Sequence, residues 1–252
     1  MNKPSSTEII FGIHSVLSVI SQMPERILSL YLLQGREDKR IQEILEKAQE
    51  FGLSIQTISR QELDKLTLEQ NHQGILAKCR PLTQYTEADI DSLLEKLTLP
   101  PLILILDGIQ DPHNLGACLR TADAAGVNLV LAPKDHSVGL TPIVRKIACG
   151  AAENIPFIQV ANLARTIRKL KEAGIWIFGA MVDEKSNSLY ESRLKGSLAL
   201  VLGSEGKGLR RLTMELCDEL FYIPMLGTVE SLNVSVATGV TLFEALRQRK
   251  YK

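Results

Sequence analysis

The sequence predicts an α/β protein whose larger, C-terminal part contains a mostly parallel, doubly wound sheet. Three observations predict this fold class. From Leu102 onward, short apolar runs alternate with segments of helical periodicity, as in sheets built from β-α-β units. Residues 9–80 show the same alternation on a smaller scale, which indicates a small α/β domain. A proline-flanked, acidic segment lies between the two parts.

The elements of the first part follow from periodicity and apolar runs. A helix is predicted from the apolar face formed by Ile13, Val16, Leu17 and Ile20. A strand over 27–33 and an amphipathic helix follow, the helix with Ile41, Ile44, Leu45 and Ala48 on one face. Short strands around Ile55 and over 75–79 complete the domain.

The segment 81–100 is predicted to be a linker. Pro81, Pro100 and Pro101 flank it, and it contains one basic and four acidic residues. We therefore divide the chain into an N-terminal domain at 1–80, a linker at 81–100 and a C-terminal domain at 101–252.

The C-terminal elements alternate in order. The predicted strands cover residues 102–107, 128–132, 157–160, 175–180, 197–202 and 219–223. The predicted helices cover about 114–125, 141–152, 162–173, 208–216 and 232–249. Neither G-x-G-x-x-G after the first strand nor G-x-x-x-x-G-K-[ST] occurs, so dinucleotide and P-loop chemistry lack their expected sequence support.

Composition narrows the class of protein without naming a function. Apolar residues make up 45% of the chain, and 29 basic residues balance 29 acidic ones, so charge alone does not indicate nucleic-acid binding. No apolar run approaches the roughly 18 residues needed to span a bilayer, and the polar start is not a signal peptide, so we expect a cytoplasmic protein. The four cysteines are far apart, and we expect reduced thiols and no metal site.

Two apolar runs in the last quarter end in loops that favour ligand binding. Residues 198–202 lead into a glycine-dense turn, and residues 221–224 lead through a loop to a helix that opens near Ser231. Such loops meet at the carboxyl edge of a parallel sheet, where ligands bind. Gly203, Gly206 and Gly208 permit positive φ and close approach to the main chain. A tight strand-to-helix turn without a ligand is the alternative.

Three spaced motifs carry a family resemblance. They are Asn114, Gly116 and Arg120 in the pattern N-x-G-x-x-x-R, then Gly203, Glu205 and Gly206, and then Ser231, Leu232 and Asn233. In this order they resemble the SpoU (TrmH-type) RNA 2′-O-ribose methyltransferases of the SPOUT class. Segments 12–15, 35–40 and 72–74 extend the resemblance over the whole chain.

The resemblance implies a fold, a reaction and partners. It implies a trefoil knot in the last third of the chain, an N-terminal RNA-binding domain and S-adenosyl-L-methionine as cofactor. The implied reaction is 2′-O-methylation of a guanosine in 23S rRNA, free or in an assembling large ribosomal subunit. The implied assembly is a homodimer formed through the knotted domain, and the last helix has an apolar face suited to its own sheet or to a partner.

The resemblance also assigns residues to the cofactor. Main chain near Gly203, Ile223 and Leu232 is expected to hold it, and Gly227 is expected to let a loop turn close to it. Ordinary core packing is the alternative for Ile223 and Leu232.

The expected catalytic residues are Arg120, Asn114, Glu205, Ser231 and Asn233. Because guanidinium stays protonated, we expect Arg120 to grip a phosphate and stabilise the developing alkoxide rather than act as base. The proton would pass to that phosphate, to Glu205 or to water. Ser231 and Asn233, at the start of the last helix, suit an anion.

Each of these assignments has a structural alternative. Asn114 is also a good helix cap, Arg120 could be merely exposed, and His113 is most simply incidental. Glu205 could pair with a nearby basic side chain, for which the sequence offers Lys207, Arg210 and Arg211. The basic side chains Arg36, Lys39 and Arg40 either touch phosphates or form a solvated helix start.

Three other functions compete with rRNA methylation. A tRNA guanosine-2′-O-methyltransferase would share the same motifs, whereas the additional N-terminal domain favours rRNA. A non-catalytic RNA-binding ribosome-assembly factor is disfavoured by the presence of all three motifs. A nicotinamide-dependent oxidoreductase is disfavoured by the missing glycine fingerprint.

Overall fold

The structure is a computed structural model that describes residues 7–36, 38–81, 85–184, 186–204, 206 and 208–251. The chain forms two compact units. The first comprises Met1–Thr83 and Leu140–Glu153, and the second comprises Gln84–Gly139 and Asn154–Lys252. The sequence alternation placed residues 140–153 in the C-terminal part, whereas their contacts belong to the first unit.

The described strands and helices have the following bounds. The strands are β1 (Glu8–Phe11), β2 (Ile27–Leu33), β3 (Ile55–Ile58), β4 (Ile75–Cys79), β5 (Leu102–Asp107), β6 (Leu129–Pro133), β7 (Phe157–Val160), β8 (Trp176–Ala180), β9 (Asn187–Ser188), β10 (Leu198–Gly203) and β11 (Glu219–Tyr222). The helices are α1 (Ile13–Gln22), α2 (Lys39–Glu50), α3 (Arg60–Leu66), α4 (Ile90–Glu95), α5 (Pro112–Ala124), α6 (Pro142–Ala148), α7 (Ala151–Asn154), α8 (Leu163–Glu172), α9 (Arg211–Leu216) and α10 (Val234–Lys250).

The first unit contains a four-stranded mixed sheet in the order β1-β4-β2-β3. Strand β4 is antiparallel to β1 and β2, and β3 is parallel to β2. Helix α2 begins where the Asp38 carboxylate accepts hydrogen bonds from two backbone N–H groups, and it buries Ile41, Ile44 and Ala48. This spacing of three and four residues is the predicted amphipathic face, which packs into the core of the unit.

A buried ion cluster, formed by Glu8, Arg26, Arg145 and Glu153, lies within the first unit. The Glu8 carboxylate lies 2.6 Å from Arg26 Nη2 and 2.6 Å from Arg145 Nε, and Arg145 Nη1 lies 2.7 Å from Glu153 Oε1. Burial raises the pKa of Glu153, and the neighbouring Arg145 opposes that rise. The cluster therefore joins residues 140–153 to β1 by paired charges.

The second unit contains a seven-stranded sheet in the order β7-β6-β5-β10-β8-β11-β9. Each strand pair described in it is parallel, which confirms the predicted mostly parallel sheet. Strands β5 and β10 are buried along nearly their whole length, as expected for continuous apolar runs in the middle of a parallel sheet.

The acidic segment before β5 packs on the second unit. Ile90 is buried in the core of that unit, with Leu93 and Leu94 against it. The Glu87 carboxylate accepts hydrogen bonds from the Ala161 N–H and the Thr166 hydroxyl, each at 3.2 Å. Part of the segment that composition identifies as a linker is thus attached to the sheet layer.

The cysteines are free thiols, and burial raises the pKa of Cys118 to about 11 and of Cys217 to about 12. Among the described residues, no three His, Cys, Asp or Glu side chains are grouped to hold a metal ion. No helix in the described ranges has the length and apolar character needed to cross a bilayer.

Candidate active site

A cleft lies at the carboxyl ends of β5 and β10, which are neighbours in register, Asp107 beside Gly203. Strand β5 continues through α5 to β6 on one side of this point, whereas β10 continues through α9 to β11 on the other side. The chain direction therefore switches between β5 and β10, and the crevice at such a switch point is where open α/β sheets bind ligands. The cleft has a volume of about 630 Å³.

Two predicted catalytic side chains meet beside this cleft. Asn233 Nδ2 donates a hydrogen bond to Asn114 Oδ1 at 3.1 Å, and Asn114 lines the cleft. Asn233 is the N-cap of α10, where its Oδ1 accepts hydrogen bonds from the backbone N–H of Ser235 at 2.9 Å and from the Ser235 hydroxyl at 2.7 Å. The pair connects the first motif to the third.

Asn114 does not cap its helix. Helix α5 begins at Pro112, and Asp111 is its N-cap, with the Asp111 carboxylate accepting the His113 N–H at 2.8 Å. Proline at the first helical position starts the helix two residues earlier than periodicity predicts. The Asn114 side chain is thereby left to pair with Asn233.

The glycine-rich loop after β10 folds tightly on itself. A Cβ on Gly203 would lie 2.1 Å from the Gly208 carbonyl, and Ser204 and Gly208 form a β-bridge. Gly206 and Gly208 have φ of 78° and 62°, as the sequence predicts, whereas Gly203 has no positive φ. Gly203 is required for close approach of the returning main chain, and Ser204 and Gly208 line the cleft.

A buried carboxylate anchors this loop to β5. Asp107 accepts hydrogen bonds from Arg210 Nε at 2.6 Å and from the Arg210 backbone N–H at 3.1 Å, and Arg210 Nη2 lies 2.5 Å from Asp107 Oδ1. The Asp107 side chain is fully buried, while that of Arg210 is 47% exposed. The described partner of the next arginine, Arg211, is Glu215.

Arg120 lies elsewhere on α5. It is exposed, and it is not among the described residues that line the cleft. At about 100° per residue, six residues along a helix separate its direction from that of Asn114 by about 120°. Glu205, the remaining acidic candidate, lies outside the described residues.

The other predicted site residues lie on two loops. Ile223 directly follows β11 and is half-buried, as is Leu232, whereas Ser231 is exposed before α10. Gly227 is exposed without a positive φ, and a Cβ there would meet no described atom within 4 Å. In this structure, therefore, the backbone does not require glycine at 227.

The residues that line the cleft but were not predicted as site residues include Asp107, Arg210 and His136. Asp107 could have been found, because a carboxylate that ends an all-apolar strand lies at the ligand edge of a parallel sheet. No sequence pattern around His136 indicates that this residue lies at the cleft. It lies in the loop after β6 with φ 58°, and the Val138 N–H joins that loop to the Ile109 carbonyl at 2.9 Å. His113, which the sequence analysis treats as incidental, is exposed, whereas His136 lines the cleft.

Helices α5 and α10 pack directly on each other behind the asparagine pair. Buried Cys118 and Thr238 lie with Sγ and Oγ1 3.3 Å apart, and a Cβ on Gly239 would touch the Thr121 methyl at 3.7 Å. This packing fixes the spacing of the two helix starts that carry Asn114 and Asn233.

Two sequence-family profiles match the chain. Residues 101–243 match the SpoU rRNA methylase family, and residues 9–85 match the RNA 2′-O ribose methyltransferase substrate-binding family. Together the two matches cover most of the chain.

Similar proteins match over nearly their full length. The 23S rRNA (guanosine-2′-O-)-methyltransferase RlmB of Shewanella oneidensis is 56% identical over 243 residues, covering 96% of this chain and 98% of that protein. The RlmB of Escherichia coli K12 is 53% identical, covering 96% of this chain and 99% of that protein.

Solved structures share the fold. A crystal structure of an RNA 2′-O ribose methyltransferase aligns with a TM-score of 0.78 at 26% identity, covering 97% of this chain and 89% of that chain. The SpoU methyltransferase AviRb of Streptomyces viridochromogenes, in complex with AdoMet, aligns with a TM-score of 0.75 at 20% identity, covering 96% and 90%. The second likeness shows the fold alone.

Proposed function

The chain belongs to the SpoU rRNA methylase family, and from that membership we propose that it methylates the ribose 2′-hydroxyl of a guanosine in 23S rRNA, with S-adenosyl-L-methionine as methyl donor. One observation carries the proposal. The chain is 53–56% identical to RlmB enzymes of the two bacteria over 96% of its length, so both the substrate-binding and the methylase parts are present.

The residues at the sheet edge fit the cofactor. Because a Cβ on Gly203 would overlap Gly208, the main chain is closely approached at this loop, and its N–H and C=O groups can recognise an adenosine. A cleft of about 630 Å³ lies within the range of about 300–1,000 Å³ that is usual for small-molecule sites. We assign main chain near Gly203, Ile223, Gly227 and Leu232 to the cofactor.

S-adenosyl-L-methionine, when bound, supplies a methyl group on a sulfonium sulfur. A ribose 2′-hydroxyl is a poor nucleophile, so the protein must align it and help its proton leave. The hydrogen-bonded Asn114 and Asn233 hold the ribose side of the cleft in a fixed geometry. The N-terminus of α10, next to Asn233 and Ser231, favours an anion such as a phosphate or a carboxylate.

Arg120 is assigned to a phosphate of the RNA. Its guanidinium stays protonated, so it stabilises negative charge rather than removing the proton. Its exposure leaves it accessible to a backbone phosphate that the RNA brings in. That phosphate, Glu205 or water receives the proton.

We assign RNA binding to residues 1–80 and methyl transfer, in the cytoplasm, to residues 101–252. Residues 81–100 connect them, and the acidic part of this segment packs on the second unit. We further propose that the C-terminal region is trefoil-knotted. The position of β10 between β5 and β8 supports this, because a late strand enters the middle of a sheet that earlier strands have already begun.

A homodimer through α10 completes the proposal. Val236 and Phe243 lie seven residues apart, on one side of the helix, and are 51% and 50% exposed. Sedimentation equilibrium of the protein and of Phe243→Glu tests it. We expect the native protein to sediment as a dimer and the variant as a monomer, and a native monomer would contradict the proposal.

The function is tested by methyl transfer to RNA. Unmodified 23S rRNA and unmodified tRNA are incubated with the protein and labelled S-adenosyl-L-methionine, and the labelled nucleotide is mapped. We expect label on one guanosine ribose of 23S rRNA. Label on tRNA alone would favour the tRNA enzyme, and binding of rRNA without transfer would favour an assembly factor.

Arg120→Ala is the most informative variant in this assay. We expect turnover to fall by about 10²–10³-fold, the usual effect of removing one group that stabilises transition-state charge. The dissociation constant for S-adenosyl-L-methionine, measured by calorimetry, should stay within about twofold, since the side chain lies outside the cleft. Normal turnover in the variant would contradict the role given to Arg120.

A further inference from the structure

The first unit contains a second polar cleft, beside the loop that joins α3 to β4. Its volume is about 460 Å³, and its lining includes Arg36, Arg60, Glu69, Gln70, Asn71 and Gln73. We call this loop, residues 67–74, the α3–β4 loop. The cleft offers guanidinium, carboxylate and amide groups together, with few apolar neighbours.

The backbone of the α3–β4 loop is strained. Leu68, Glu69 and Gln73 have φ of 51°, 61° and 51°. They are three of the five described non-glycine residues in the left-handed region, which bulky side chains disfavour. Such strain persists only where the surroundings hold it, and it often marks a segment built to contact a ligand.

Hydrogen bonds inside the first unit hold this strained loop. The Gly74 N–H donates to His72 Nδ1 at 2.9 Å, and His72 Nε2 lies 3.0 Å from Asp64 Oδ1. The Thr67 hydroxyl donates to the Leu63 carbonyl at 2.9 Å, and the Glu69 N–H donates to the Asp64 carbonyl at 2.7 Å. The loop is therefore fixed onto α3 before any ligand arrives.

Gln73 connects the loop to two other segments. Its side-chain Oε1 accepts the Ile13 N–H at 3.0 Å, at the start of α1. Its carbonyl accepts a hydrogen bond from Arg36 Nη1, in the turn between β2 and α2. The Arg36 side chain lies across Gly74, where any Cβ would collide with it at 2.5 Å. Three chain segments thus form one prebuilt edge.

Several groups at this edge face solvent. Arg60 keeps 80% of its side chain exposed, and its distance of 3.9 Å to Asp64 makes only a weak pair. Leu68, the second residue of the α3–β4 loop, is 81% exposed and precedes the cleft-lining Glu69 and Gln70 in the chain. A guanidinium suits a phosphate, amides and a carboxylate suit the edge of a base, and an exposed apolar side chain suits its face.

We propose that this cleft binds an unstacked nucleotide of the RNA substrate, distinct from the nucleotide that is methylated. The proposal deepens the proposed function and rests on RNA being the substrate. Gln70 and Asn71 contact the edge of the base, Leu68 covers its face, and Arg60 contacts a neighbouring phosphate. Sequence-specific RNA recognition generally targets bases that are splayed out in loops and bulges, which the donors and acceptors here can satisfy.

The test measures RNA binding by the full chain, which requires no turnover. Filter binding to an unmodified 23S rRNA fragment at fixed salt compares Arg60→Ala, Gln70→Ala and Leu68→Asn with the unaltered protein. Asparagine at 68 keeps a residue that tolerates positive φ while removing the apolar side chain. We expect each dissociation constant to rise about tenfold, consistent with the loss of one well-placed contact.

Two matched controls lie on the same helix. Lys65→Ala removes an equal charge from α3, and Gln61→Ala removes an equal amide, and neither residue lines the cleft. We expect both to bind within about twofold of the unaltered protein, and single-stranded loop RNA to compete better than duplex RNA. Thermal unfolding of every variant verifies that it is folded.

The outcomes separate the two proposals. If Arg60→Ala, Gln70→Ala and Leu68→Asn bind the fragment as tightly as the Lys65→Ala control, the nucleotide site is overturned even though methyl transfer persists. If the native protein binds the fragment and loses affinity in the three variants but transfers no methyl group, the proposed reaction fails while the site stands. Equal competition by duplex RNA would also overturn an unstacked nucleotide as the ligand.

Discussion

Two places in the molecule bury a carboxylate against arginine, and they differ in what surrounds the charges. In the buried ion cluster of the first unit, the Arg145 side chain is 11% exposed and its partner Glu153 is 1% exposed. At the active-site cleft, Asp107 is fully buried, but its partner Arg210 is 47% exposed and lines the cleft. In both places, an arginine forms an ion pair with a carboxylate that is buried from water.

The difference indicates which role each arrangement has. A cluster closed to solvent on both sides can act only on the stability and position of the segments it joins. A pair with one partner open to a cleft also positions a loop that contacts a ligand. Variants in the two places should therefore separate loss of stability from loss of activity.

The largest expected effect is on stability, from Arg145→Met. The change leaves the Glu153 carboxylate buried without this ion partner, which typically costs about 3–5 kcal/mol. Urea unfolding measures the loss, and Arg165→Met is the control, because that side chain is 62% exposed and pairs with Glu87 at 3.6 Å. We expect the control to lose less than about 1 kcal/mol. A stable Arg145→Met protein with impaired turnover would reverse the comparison.

Asp107→Asn should affect cofactor binding strongly and stability less than Arg145→Met does. The amide can still accept the Arg210 backbone N–H but loses the charged contacts to the guanidinium, so we expect about 1–3 kcal/mol of destabilisation. Because the glycine-rich loop loses its anchor, the dissociation constant for S-adenosyl-L-methionine should rise about tenfold or more. Calorimetry checks this, with Glu215→Gln on the exposed side of α9 as control. Unchanged cofactor affinity would reduce Asp107 to a purely structural residue.

The sequence predicted one of these two places better than the other. Apolar runs located the strands of the parallel sheet, and the carboxyl-edge rule brought the loops after β5 and β10 together. Local motifs pointed to Asn114 and Asn233, which the structure joins by a hydrogen bond. The ion cluster could not be predicted, since Glu8 and Glu153 meet through tertiary packing and no local pattern connects them.

The errors in individual elements also have local causes. The helix predicted over 141–152 is interrupted at Cys149 and Gly150, which have φ of 51° and 95°. The sequence could not predict this interruption, because cysteine is not a residue type that indicates a left-handed conformation. Strand β9 has two polar residues, so no apolar run could reveal it.

The pH dependence of Arg145→Met sharpens the comparison further. Burial places the folded-state pKa of Glu153 above its unfolded value, and removing Arg145 takes away a cause that lowers it. A raised carboxyl pKa favours folding below the unfolded pKa, and this contribution is lost as the pH rises through the folded pKa. The loss caused by Arg145→Met should therefore be smaller at acidic pH than at alkaline pH, as urea unfolding at a series of pH values would show.

The double variant Arg145→Met, Glu153→Gln isolates the responsible group. For Arg145→Met alone, we expect the loss of unfolding free energy to become smaller at acidic pH. For the double variant, this loss should not decrease at acidic pH, because the carboxyl group that titrates has been removed. If the loss in the double variant decreases at acidic pH to the same extent, the pH dependence arises outside Glu153.

The smallest effect concerns a polar group that is buried without compensation. Thr241 is fully buried in α10, and its hydroxyl has no hydrogen-bond partner among the described residues. Valine has almost the same shape and a similar helix propensity, so Thr241→Val removes an unsatisfied group with little change in packing. We expect it to stabilise the protein by about 1 kcal/mol in urea unfolding.

Thr238→Val is the matched control for this stabilisation, since it makes the same change in the same helix. The Thr238 hydroxyl donates to the Val234 carbonyl at 2.7 Å and lies 3.3 Å from Cys118 Sγ, so its loss should be neutral or destabilising by up to about 1 kcal/mol. If the two Thr→Val changes alter the free energy of unfolding in opposite directions, the hydrogen bonding of the buried hydroxyl, rather than its burial, determines its effect on stability. Equal losses would mean that the Thr241 hydroxyl has a partner in solution, and the contrast between compensated and uncompensated burial would not extend to α10.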